Sequence, residues 1–163
     1  MKKILITIIM TLCTLMAYTV TAQAAETKEY TDKDIALIAR VVYAEGRGES
    51  VEGKRAIAET VMNRYESGLF GKTLKHITRR SQFCKASVKT VSKKKNAAVY
   101  AECVEAVAYA ITTRTLPSNT YYFQKANRKH WGGRKQIIRY CTIEKHTFYT
   151  LGEAVEVQDD ICG

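Results

Sequence analysis

Two carboxylates four residues apart, Glu45 and Glu49, stand in the run Tyr43-Ala44-Glu45-Gly46-Arg47-Gly48-Glu49-Ser50. Ile35, Ile38 and Val42 recur at helical spacing before this run and two glycines fall within it, so the spacing predicts a helix that stops at about Glu45. A carboxyl group at the negative end of a helix dipole, among apolar neighbours such as Val41 and Val42, holds its proton more readily than one in water. A carboxyl that is partly protonated near neutral pH can act as a general acid, which is what cleaving a glycosidic bond requires. Glu45 is therefore the candidate catalytic residue, with Glu49 as a possible second carboxylate. An unbroken helix would place Glu49 one turn beyond Glu45 on the same face, but Gly46 and Gly48 argue for a break. The structural alternative for Glu49 is a cap at a helix start or an ion pair with Arg47 or Arg55.

The elements that must position these groups follow from caps and periodicity. Thr31 reads as the N-cap of the first helix, with Asp32 and Asp34 in its first turn. Ser50 reads as the cap of a second, which carries Ala56, Ile57, Ala58, Val61 and Met62 on nearly every side and ends at Gly68. Such a helix belongs at the centre of the domain, beneath Glu45. Residues 73–78 are expected to hold a short helix, residues 79–95 a basic solvated loop, and residues 96–113 a third long helix closed by Leu116-Pro117. Residues 120–123, 137–143 and 147–150 are rich in β-branched and aromatic side chains and read as short strands. Helices first and strands later give an α+β domain, mainly helical with a small C-terminal antiparallel sheet.

The first 24 residues read as a secretory signal: Lys2 and Lys3, an apolar stretch from Ile4 to Leu15, then Ala22-Gln23-Ala24 as the cleavage site. The rival, a retained anchor, is opposed by an apolar stretch short for a membrane span. Residues 25–163 then form one domain, with a core over about 31–150 and an acidic tail over 152–163. The chain carries 26 basic and 16 acidic side chains, a net charge of +10, of which Lys2 and Lys3 account for two. Such a surface favours polyanions. For an exported chain the cell wall is the nearest one; nucleic acid is second, without the usual recognition signatures. Four cysteines remain after the signal, Cys84, Cys103, Cys141 and Cys162, an even number for an oxidising compartment. They allow three pairings, of which Cys84–Cys103 with Cys141–Cys162 is the more local. Neither their spacing nor that of the histidines suits a metal, and no cofactor is expected.

The run from Tyr43 to Ser50, continued by Gly53, Ala56, Ala58, Val61 and Asn63-Arg64, resembles the opening of the catalytic domain of the spore-cortex-lytic enzyme family of bacterial cell-wall hydrolases. Gln82-Phe83, Tyr122-Phe123, Trp131 and Ile143-Glu144-Lys145-His146-Thr147-Phe148-Tyr149 follow in the order of that family. The chain departs from it at Gly46, where alanine is common, at Glu144, where glycine is common, and at Gln124, where histidine or asparagine is frequent. The resemblance implies a lysozyme-like fold, Glu45 as the catalytic glutamate and peptidoglycan as substrate. It also raises Asn63, Tyr122, Gln124, Trp131 and His146 as candidates for contacting the glycan, against the alternative that each serves the core. The expected protein is a secreted monomer of the cell wall or periplasm that cleaves the β-1,4 bond between N-acetylmuramic acid and N-acetylglucosamine. Lytic transglycosylation by one glutamate is the expected chemistry. A two-carboxylate muramidase is the alternative within enzymes, and a non-catalytic basic wall-binding module the alternative outside them.

Overall fold

The first long helix, α1 (Asp32–Gly46), begins where Thr31 and Asp34 cap one another. The Thr31 hydroxyl oxygen accepts the Asp34 N–H, and the Asp34 carboxylate accepts the Thr31 N–H at 3.1 Å. Such a box contributes about 1 kcal/mol and fixes where the helix starts. The second, α2 (Val51–Ser67), is capped by Ser50, whose hydroxyl oxygen accepts the Gly53 N–H, and is stopped by Gly68 in the left-handed region at φ +69°. Two single-turn helices, α3 (Leu74–Ile77) and α4 (Val88–Val91), precede the third long helix, α5 (Ala97–Thr112). Strands β1 (Thr120–Lys125), β2 (Ile137–Ile143) and β3 (His146–Leu151) close the domain. The computed structural model describes residues 28–128 and 136–152. The signal segment, Trp131 and the tail beyond Gly152 lie outside those residues.

Helix α2 is the centre, as its composition predicts. It is buried without interruption from Ala56 to Arg64, and α1, α5 and β1 lie against it. Ile38, Val41 and Val42 of α1, Ile57, Val61 and Met62 of α2, Val107 of α5 and Phe148 of β3 are wholly removed from solvent. Each such side chain contributes about 1.5–3 kcal/mol relative to exposure. The buried stretch of α2 also holds polar groups, and these dock the chain that leads into the sheet. Glu59 accepts the Thr115 and Leu116 N–H groups and the Thr115 hydroxyl, at 2.7–2.8 Å. Asn63 donates its amide to the Pro117 and Thr120 carbonyls, and Arg64 donates Nε–H to the Tyr121 carbonyl at 2.6 Å. Unpaired, each of these groups would oppose burial; paired, they fix β1 along the helix.

The sheet is antiparallel in the order β1-β3-β2, with β3 buried from His146 to Thr150. Register pairs Lys125 and Ile143 with His146, so the β2–β3 turn and the end of β1 meet at one edge. The α+β architecture agrees with the expectation. Two local expectations do not hold. Residues 79–95 are not wholly solvated: Phe83 and Val91 are buried, and Ser87 caps α4 by accepting the Thr90 N–H. The lysines around these two apolar residues mask their pull toward the core. The Cys84–Cys103 pairing is also absent, both thiols being free. Cys103 faces the core from α5 while Cys84 stands exposed beside α1, and the pairing of Cys141 with Cys162 reaches outside the described residues.

Candidate active site

At its C-terminal end α1 carries Glu45, one residue before Gly46 closes the helix. Glycine at 46 has a packing reason: a Cβ there would run into Ile57 Cδ1 of α2. The close approach of the two helices leaves the Glu45 carboxyl half-buried at the wall of a cleft of about 680 Å³. Its donors among the described residues both come from Cys84. The Cys84 N–H reaches Oε1 at 2.5 Å, and the thiol meets the same carboxyl, whose charge is the main reason the thiol is held above its ordinary range. The segment that carries Cys84 is in turn tied to α1 by the Ala86 N–H, which donates to the Arg40 carbonyl at 3.0 Å.

Glu49 lines the same cleft from the turn between α1 and α2, so the helix does break where the glycines predict. Gly53 makes room for it, since a Cβ at 53 would lie 2.9 Å from Glu49 Cβ. Neither Arg47 nor Arg55 is its partner. Arg47 lies over the Tyr43 ring and Arg55 over the Tyr109 ring. Glu49 Oε2 instead accepts the Lys145 N–H at 3.3 Å and lies 3.6 Å from His146 Nδ1, both side chains being more than nine-tenths buried. The His146 ring stands edge-on to Phe123 at 5.3 Å between centroids, which fixes its plane.

The other residues raised by the sequence are placed differently. Asn63 is directed to the Pro117 and Thr120 carbonyls and borders a separate cavity of about 1080 Å³. That cavity is the larger, and in it Glu66 Oε1 receives both Arg114 at 2.5 Å and the Tyr30 hydroxyl at 2.7 Å. The cleft at Glu45 has a carboxyl at a helix end facing its volume. Tyr122 packs on Phe70 and the Arg64 guanidinium, and the buried Gln124 donates to the Tyr149 hydroxyl at 2.7 Å. Arg64 itself is enclosed by Phe70, Phe83 and Tyr122, and burial lowers its pKa to about 10. Of the five candidates for contacting the glycan, only His146 lines the Glu45 cleft among the described residues. Lys125, Asn127, Glu144 and Lys145 line it too, and the sequence reading assigned them no role there. No group of three His, Cys, Asp or Glu side chains converges as metal ligands among the described residues.

The helical core and the three-stranded sheet together form a fold already seen in solved bacterial structures. The catalytic domain of the Bacillus cereus SleB protein matches this fold with a TM-score of 0.59 and 23% identity, covering 80% of this chain and 99% of that one. The catalytic domain of the germination-specific lytic transglycosylase SleB from Bacillus anthracis matches with a TM-score of 0.55, also at 23% identity, covering 76% and 98%. The cell wall hydrolase family profile matches residues 48–149, and the chain belongs to that family. The match begins just after Glu45. Among curated relatives, spore cortex-lytic enzymes of Oceanobacillus iheyensis and Bacillus subtilis are 47% and 49% identical over 45 and 41 residues, or 28% and 25% of this chain. Those stretches span 16% and 13% of the relatives' own lengths.

Proposed function

We propose that this chain is an exported enzyme that cleaves the β-1,4 bond between N-acetylmuramic acid and N-acetylglucosamine in peptidoglycan, as a lytic transglycosylase with Glu45 as its acid and base. Membership of the cell wall hydrolase family supports peptidoglycan as the substrate. The observation that carries the assignment of Glu45 is its position: a helix-terminal carboxyl on the wall of a cleft, held by the Cys84 N–H and facing open volume. In the proposed reaction Glu45 donates its proton to the glycosidic oxygen as the bond to the muramic C1 breaks. The muramic C6 hydroxyl then attacks C1, and its proton passes to the Glu45 carboxylate, which restores the starting acid and leaves a 1,6-anhydro ring. One carboxyl suffices because the nucleophile belongs to the substrate.

A two-carboxylate hydrolase is the second reading, because Glu49 shares the cleft. Retaining and inverting glycosidases both need the second carboxylate to meet the sugar or a water directly. Glu49 is instead buried against His146 and the Lys145 N–H, which favours the single-acid reaction. The proposed place of action is the cell wall or periplasm; among the described residues no helix is long and apolar enough to cross a membrane. The test is a gel containing purified cell wall. Wild-type protein should clear it, Glu45→Gln should not, and Glu49→Gln should retain substantial clearing if it folds. Saturable wall binding without clearing by the wild type would make this a binding module and end the enzymatic reading.

A further inference from the structure

The β2–β3 turn consists of two residues, Glu144 and Lys145, and Glu144 adopts φ +45°. The first position of a two-residue hairpin with positive φ suits glycine, asparagine or aspartate, because a larger side chain crowds its own backbone there. Among the described non-glycine residues Glu144 alone has a positive φ. A strained residue held at the rim of a cleft asks what the strain secures.

The turn grips three consecutive residues of the α1–α2 junction. Glu144 Oε2 accepts the Ser50 N–H at 3.0 Å, the Lys145 N–H donates to Glu49 Oε2 at 3.3 Å, and Lys145 Nζ donates to the Gly48 carbonyl at 3.0 Å. The Glu144 carboxyl also meets that of Glu49, and the Ser50 N–H is the main cause holding it below the usual carboxylate range. The next residue along the strand is His146, whose Nδ1 faces Glu49 with no hydrogen-bond partner within the described residues. The partners are 94–97 residues apart in the chain, so no local preference of the turn brings them together.

We propose that Glu144 is a positioning residue: its left-handed turn clasps Gly48–Ser50 and thereby sets Glu49 and His146 as one wall of the cleft that holds Glu45. This rests on the reading of that cleft as the site of bond cleavage. A turn that served only the fold would predict a different response to substitution. Glycine suits φ +45° better than glutamate does, so Glu144→Gly relaxes the turn while removing the clasp. Glu144→Gln keeps an acceptor for the Ser50 N–H.

The experiment compares wild type, Glu144→Gly, Glu144→Gln and Glu45→Gln in thermal unfolding, in kcat and KM on soluble glycan-strand fragments, and in the NMR ring signals of His76 and His146. Glu144→Gly should melt at or above the wild-type temperature yet lose about tenfold in kcat, the scale of one positioning hydrogen bond. KM should change less than kcat, and Glu144→Gln should recover most of the rate. The His146 signals should move in Glu144→Gly while those of His76 stay. Wild-type kcat in folded Glu144→Gly, or an unmoved His146 spectrum, overturns the clasp. Full activity in Glu45→Gln, or no activity in the wild type, overturns the functional reading instead, and the His146 signals still decide the clasp.

Discussion

Two glutamates of this protein, Glu45 at the end of α1 and Glu59 in the middle of α2, are both taken from water by the fold and do opposite things. Glu59 is wholly buried and receives three donors from Thr115 and Leu116, so its oxygens are occupied by the chain itself. Glu45 is half-buried, receives donors only from Cys84 among the described residues, and faces a cleft. Helix membership does not separate the two. Saturation does: a carboxyl whose acceptor sites are filled by the protein holds structure, whereas one left partly open to a cleft can exchange a proton with a ligand.

Neutralising each carboxyl in turn separates the two roles. Glu45→Gln should lower the cleavage rate by about 10²–10⁴-fold, the usual contribution of a general acid, with the melting temperature within a few degrees of wild type. Glu59→Ala should do the reverse. It strands three donors, each of which costs about 1–3 kcal/mol when left unpaired, so the midpoint of thermal unfolding should fall by roughly 10 °C or more. Residual activity of the folded fraction should match wild type. A Glu59 variant that is stable but inactive would invert the assignment.

Smaller effects come from pH, and two carboxyls should respond with opposite sign. Burial raises the Glu59 pKa above its ordinary 4.5, so the unfolded chain ionises first as pH rises. The stability Glu59 contributes is therefore complete in acid and declines from about pH 4.5 upward, through the raised folded pKa. Urea unfolding of wild type against Glu59→Gln should show the wild-type advantage shrinking as pH rises from about 4.5; a growing advantage would contradict this sign. Glu144 is held low by the Ser50 N–H, so what it contributes is present above the ordinary carboxylate range and is lost as pH falls through its depressed pKa. Weakest of all is a chemical probe of the two thiols. Alkylation of the folded protein should label exposed Cys84, slowed by the Glu45 charge, and leave Cys103, whose pKa burial raises to about 11, untouched until unfolding. Intact mass reads this directly, and an unreactive Cys84 would revive the discarded pairing.

Much of the scaffold was legible in the sequence because its signals are local. Thr31, Ser50 and Gly68 mark helix boundaries through their own side chains or their lack of one, and the glycines at 46 and 48 mark the break that leaves Glu45 at a helix end. What escaped depends on distance along the chain. Cys84 meets Glu45 across 39 residues, and Glu144 meets Ser50 across 94, so neither contact has a periodic signature. Asn63 was legible as a polar residue of the central helix. Its direction, toward Pro117 and Thr120 instead of the Glu45 cleft, is set by how β1 docks. Phe83 and Val91 were hidden by the lysines beside them, because a window average of hydropathy cannot register one buried side chain in a basic run.

Whether one carboxyl at the end of α1 drives an intramolecular attack by the substrate can be read from the mass of the products. Purified peptidoglycan digested with the wild-type protein should yield fragments ending in 1,6-anhydro-muramic acid, one water lighter than the corresponding reducing ends, and Glu45→Gln should yield none. Fragments that carry only ordinary reducing ends would show that water is the nucleophile and would contradict the account.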